Sequence, residues 1–146
     1  MNDLRGTARV LLLILMTAWA GTIIGVSFIA TPVKFQAPSL TVPAGLEVGR
    51  YTFRLFTRIE LCFMIAAIVA ATIAQPRWTS LLALALVAVQ LFIQQYWLLP
   101  QLDHGVSQIL AGGPILFSNS HWVYAAFEGA KATLLMTAAA IEIGRP

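Results

Sequence analysis

The sequence predicts an all-α integral membrane protein, a four-helix bundle whose helices 2 and 3 extend beyond the bilayer on one face. Three observations predict it. Four apolar segments, at about 10–30, 55–74, 78–99 and 121–143, fill most of the 146 residues. Each approaches the ~20 apolar residues that a helix needs to cross a hydrocarbon core in which no water satisfies the backbone. Hydrophobic residues make up 59% of the chain and charged ones 10%, against ~25% charged in an ordinary soluble domain. The rest is short tails and two connecting regions, so residues 1–146 are read as a single transmembrane domain.

Helix 1 is expected over about 9–30. Arg5 and Arg9 precede it, and Ala18-Trp19-Ala20 resembles a signal-peptidase site. The apolar run continues to Ala30, however, which is longer than a signal core and marks a retained helix. Pro32 and Pro38 are expected to end it. Helix 2 is expected over about 44–74, because Ala44 to Tyr51 has helical spacing and meets no breaker before the apolar run. Gln75-Pro76-Arg77 is then a tight turn. Helix 3 is expected over about 77–111, kinked at Pro100 and stopped by Gly112-Gly113-Pro114. Helix 4 is expected over about 120–143. The overshoots of helices 2 and 3 leave the same face as a small helical crown.

Charge excludes some partners and leaves orientation balanced. The net charge of +3 is spread out, with no basic cluster to hold nucleic acid. The bilayer is the expected partner; a second copy or another membrane protein stays open as a further one. Arg5, Arg9, Arg77 and Arg145 lie on the face of the termini, and Lys34, Arg50, Arg54 and Arg58 on the crowned face. Four against four leaves the positive-inside rule evenly balanced. The arginines flanking the first helix tip the expectation to cytoplasmic termini. Cys62 is the only cysteine, so no intrachain disulfide forms, and its apolar surroundings suggest a small core residue.

Polar residues inside the apolar runs carry the functional signal. Gln90, Gln94, Trp97, Gln101, His104 and Gln108 recur at four and three residues along helix 3. His121, Tyr124, Glu128 and Lys131 do the same on helix 4. At 3.6 residues per turn each set spans an arc of about 80° and should face the bundle interior. With Glu60 of helix 2, the residues Gln90, Gln94, Tyr124, Glu128 and Lys131 are the candidates for a polar chamber in the crowned half. Lys131 is the deepest charge, so a carboxylate partner is expected in Glu128 or Glu60. Arg50, Arg54, Arg58, Asp103, His104 and His121 are the candidates on the crowned face.

Plainer readings stand beside these. Glu128 and Lys131 at i and i+3 can neutralise each other on one helix. Glutamines join membrane helices by hydrogen bonds, and the arginines suit a headgroup-facing stripe. Gly21-x-x-x-Gly25 suits close helix packing, and Trp78, Trp97 and Trp122 suit interface belts, with Trp19 deeper. His104 and His121 are the weak candidates for a metal or haem, but no His-x3-His or Glu-x-x-His pair fixes them on one helix. No cofactor is predicted, and no serine–histidine–acid or P-loop pattern is present.

Several landmarks also form a family pattern. Trp19-x-Gly21 is followed by Phe28 and Phe35, then by Gly49 and Phe53-x-x-Phe56. Trp97-Leu98-x-Pro100 ends helix 3, and His121 opens helix 4. Together these resemble the transmembrane-protein-205-like family of uncharacterised four-helix membrane proteins. The short connection between helices 3 and 4 is similar to that of its bacterial members, which implies a bacterial inner membrane. Thr57 stands where the family has a proline. The resemblance implies a four-helix membrane fold and supplies no activity. Three function classes remain: small-molecule or ion handling through the chamber; a structural or accessory membrane subunit; and a membrane oxidoreductase or haem or metal binder using His104 and His121. The first is the leading expectation, with no enzymatic activity favoured.

Overall fold

A computed structural model describes residues 2–114 and 119–144. Arg145, one of the four arginines assigned to the face of the termini, lies outside the described residues. Among the described residues the chain forms four helical columns and no strand. The first column is α1 (Asn2–Ile23), a π-helical stretch (Ile24–Ala30) and α2 (Thr31–Lys34). The second is α3 (Val42–Ala74). The third is α4 (Trp78–Ile93), a π-helical stretch (Gln94–Leu98) and α5 (Leu99–Leu110). The fourth is α6 (Asn119–Ile143). Within the first three columns, Asp3–Lys34, Val42–Ala74 and Trp78–Leu110, of 32, 33 and 33 residues, are long and apolar enough to cross a membrane. α6 is 25 residues long and carries the charges of Glu128, Lys131 and Glu142, all turned inward.

Both π-helical stretches sit just before a proline, for one reason. A proline has no N–H to give the carbonyl four residues back, and its ring clashes with that carbonyl. Pro32 would meet Phe28, and Pro100 would meet Tyr96, each inside a π-helical stretch. Widening the turn to i→i+5 relieves the clash while the axis continues. The Thr31 N–H accordingly reaches the Val26 carbonyl, and the Leu99 N–H that of Gln94. Pro32 thus does not end the first column, which stays helical to Lys34.

Local chemistry sets the remaining ends. Thr41 caps α3 by accepting from the Ala44 N–H at 3.4 Å, with Pro43 in the first turn. Gln75 ends α3 in the left-handed region at φ 48°, and Pro76-Arg77 restarts the chain as α4. Gly112, at φ 87°, closes α5 where a Cβ would be strained.

α1 packs along both α3 and α6, and α6 packs along α4. Their shared seam is built from Leu12, Met16, Ile23, Ala67, Ala70, Leu135, Ala138 and Ala139. Small alanines on α3 and α6 let the columns approach closely. α3 and α4 touch far less, and clefts open between them. The outer surface is apolar, with Trp78, Trp97 and Trp122 standing out at 72, 53 and 76% exposure. Cys62 is also on this outer face, not in the core, because it sits on the side of α3 away from α1. Gly21 and Gly25 meet no neighbour within 4 Å, so that pair does not close a contact inside the bundle.

Candidate functional site

Three interior charges, Glu60, Glu128 and Lys131, form one cluster that draws on all four columns. The Lys131 Nζ lies 2.5 Å from Glu60 Oε1 and 2.9 Å from Glu128 Oε1. The Trp19 Nε1–H donates to Glu60 Oε1 at 3.1 Å, and the Gln94 amide donates to Glu128 Oε1 at 2.8 Å. The Ser27 hydroxyl donates to Glu128 Oε2 at 3.3 Å. Glu60, Gln94, Glu128 and Lys131 are 0–1% exposed, so the cluster is closed to solvent. The ammonium thus bridges a carboxylate on α3 and another on its own helix.

The π-helical stretches build this site. Each wide turn adds about one residue to its helix, which rotates the residues after it relative to those before it. Ser27 and Gln94 lie inside these stretches and reach the same carboxylate from the first and third columns. The same rotation breaks the expected helix 3 stripe. Gln94 faces in and Gln90 is half-buried, whereas Trp97, Gln101, His104 and Gln108 are exposed. Leu98 and Leu99 take the inward positions in their place, against Phe53 and Tyr124.

Tyr124, one turn from Glu128 on α6, is buried, and its ring packs on Phe53 at 4.7 Å. Its hydroxyl lies beside Glu128 and Thr57 without a well-formed hydrogen bond, and the side-chain carbonyls of Gln90 and Gln94 find no partner among the described residues. Unpaired buried oxygens are uncommon and costly. Phe53 also walls a small crowned-side cavity of about 40 Å³, whose rim holds Lys34, Arg50, Asp103 and His121.

The crowned-face candidates divide. Asp103 gathers Arg50, whose Nε is 3.6 Å from Oδ1, and Arg54, whose guanidinium hydrogen-bonds Oδ2. Arg50 also donates to the Asp103 carbonyl at 2.7 Å and to Ser107 Oγ at 2.6 Å, locking α3 to α5. Arg58 stays apart from this set, on the outer cleft between α3 and α4. His104 pairs with Gln108 on its own helix at 3.1 Å, while His121 lines the cavity. Among the described residues no three His, Cys, Asp or Glu side chains gather in a metal-binding group.

Three contributors escape sequence reasoning. Trp19 acts as a buried donor, and its signal was a position too deep for an interface belt. Ser27 is placed by a π-helical turn that no regular periodicity reveals. Glu142, at the opposite end, accepts from the Arg77 N–H at 2.8 Å and the Ser80 hydroxyl at 2.7 Å, while its carbonyl takes the Arg9 guanidinium. It ties the first, third and fourth columns at the bare face, the end away from the crown. No family model, curated protein or solved structure matches this chain.

Proposed function

We propose that this membrane protein handles a small ion in the crowned half of the bilayer, a cation and first of all the proton. One observation carries the reading: two carboxylates, Glu60 and Glu128, are sealed around a single ammonium, Lys131. Fully ionised, the cluster would hold one excess negative charge where charge is expensive. A bound proton or small cation removes that excess. The Tyr124 hydroxyl, close to Glu128, and the unpaired Gln94 carbonyl supply further oxygens beside it. Tyr124 and Phe53 stand between the cluster and the crowned-side cavity, which supports access from that face. The expected seat is a bacterial inner membrane.

Purified protein reconstituted into vesicles with a trapped pH-sensitive dye tests the reading. Under an imposed membrane potential the parent should acidify or alkalinise the lumen faster than empty vesicles, and Glu128→Gln should abolish the difference. A parent protein indistinguishable from empty vesicles, for protons and for sodium or potassium, overturns it. A second reading, that the cluster only fastens the helices, draws on the donors that Trp19, Ser27 and Gln94 supply to the two carboxylates.

A further inference from the structure

The seam between α3 and α4 is the open side of the bundle. Near the crown it holds a cleft of about 270 Å³ lined by Arg58, Leu61, Leu91, Phe92, Gln95 and Tyr96. Farther down the same seam a second cleft of about 560 Å³ is lined mostly by apolar residues such as Ile68, Leu81 and Leu84, together with Thr72 and Gln75. Phe92 and Tyr96 stack at 5.9 Å and form one wall of the upper cleft. The exposed Arg58 has no hydrogen bond or ion pair among the described residues, unlike Arg50 and Arg54, which share Asp103.

Depth makes that solitary charge informative. Arg58 lies 16 residues before Ala74, which is ~24 Å along a helix axis. With Ala74 at one boundary of a ~30 Å core, the Arg58 backbone sits inside the other boundary. A guanidinium there needs an anion or a route to the headgroups. The bilayer supplies both in one molecule.

We propose that the α3–α4 seam is a seat for an anionic phospholipid. Its phosphate accepts hydrogen bonds from the Arg58 guanidinium, with the Gln95 amide beside it. One acyl chain runs down the seam past Leu61 and Leu91. Arg suits this role because its planar fork meets two phosphate oxygens at once. The lower seam suits the chain because its lining is mostly apolar and its Thr72 hydroxyl is already spent on the Val69 carbonyl.

Native mass spectrometry of the protein released from neutral detergent tests the seat. Dioleoylphosphatidylglycerol, dioleoylphosphatidylcholine and inorganic phosphate are titrated separately. The expected result is one phosphatidylglycerol adduct per protomer at concentrations where phosphatidylcholine adds little and inorganic phosphate adds nothing. Arg58→Gln should weaken that adduct by about tenfold, Arg58→Lys by less, and Lys34→Gln not at all. Leu61→Trp fills the cleft while keeping Arg58, and should also weaken the adduct should Arg58→Gln fail to fold. Equal binding of phosphatidylcholine, binding of inorganic phosphate alone, or an unchanged adduct in both Arg58→Gln and Leu61→Trp overturns the proposal. So does a lipid-free dimer that Arg58→Gln dissociates, since a second copy would then fill the seam.

Discussion

Lys131 illustrates how one side chain can hold two others in place. Its ammonium lies within 2.9 Å of both Glu60 and Glu128, and all three are sealed from solvent. Removing the cation leaves two buried carboxylates facing each other, so Lys131→Met should destabilise the protein by ~3–5 kcal/mol. Thermal unfolding in detergent measures this, and a Lys131→Met protein as stable as the parent would mean the ammonium reaches water. Replacing Lys131 with Met and both glutamates with Leu should recover most of the loss if the cluster only fastens helices. A recovered fold that no longer moves ions would separate holding the helices from handling the ion. Trp19→Phe keeps a flat ring against Phe63 but deletes the donor to Glu60. It should cost ~1.5–3 kcal/mol, as expected for a hydrogen bond to a charged group. Glu60, Glu128 and Lys131 were legible as inward-facing residues because a charge in an apolar run is costly to turn toward lipid. Which carboxylate partnered Lys131 was not legible. Spacing on α6 offered Glu128, and only the packing of α3 against α1 and α6 brings Glu60 to the same ammonium.

At the scale of the elements, two prolines do most of the unexpected work. Pro32 and Pro100 were visible as punctuation, one as a stop and the other as a kink. Both are instead absorbed by π-helical turns, because the columns continue past them under the constraint of packing. The extra residue in each turn defeats any fixed angular period, which is why the stripe through Trp97, Gln101 and His104 pointed inward on paper and points outward in the fold. The crown rests on a closer fit than periodicity can show. A Cβ on Gly45 would come 2.5 Å from the Phe35 ring and 3.2 Å from Leu40, whereas one on Gly49 would meet the Lys34 ammonium at 2.6 Å. Ala gains ~1 kcal/mol over Gly in a helix. Overpacking costs ~1–3 kcal/mol when the neighbour cannot move. Lys34 ends in a flexible chain and can swing aside; Phe35 and Leu40 hold a packed turn. Gly45→Ala should therefore lower the unfolding temperature, while Gly49→Ala should leave it near the parent's. Gly21→Ala and Gly25→Ala, with nothing nearby, should raise it. Equal effects at Gly45 and Gly49 would contradict the docking of this loop on α3.

The whole molecule has two unlike ends, and Glu142 shows which chain segments share one of them. Its carboxylate takes the Arg77 N–H from the turn between the second and third columns, and its backbone carbonyl takes Arg9 from the first. The first, third and fourth columns therefore meet at the bare face, with Lys34, the Arg50–Asp103–Arg54 set and α5 at the other end. A crossing by α6 as well as by the three longer columns would put the N-terminus, the Gln75–Arg77 turn and the end of α6 on one side of the membrane. Cys62 simplifies the test: it faces outward from the middle of α3, so Cys62→Ser should give a stable background free of thiols. In that background, single cysteines at Gln75 and Gly144 should react from the same side with a membrane-impermeant maleimide. Cysteines at Thr41 and Ser107 should react only from the opposite side. If Arg5 and Arg9 hold the first helix's N-terminus in the cytoplasm, as the sequence leads us to expect, the Thr41 and Ser107 variants should be the ones labelled from outside in spheroplasts. The reverse pattern would mean that Lys34 and the crown arginines set the orientation instead. Labelling of Gln75 and Ser107 from one side would break the architecture itself, since the third column would then not cross.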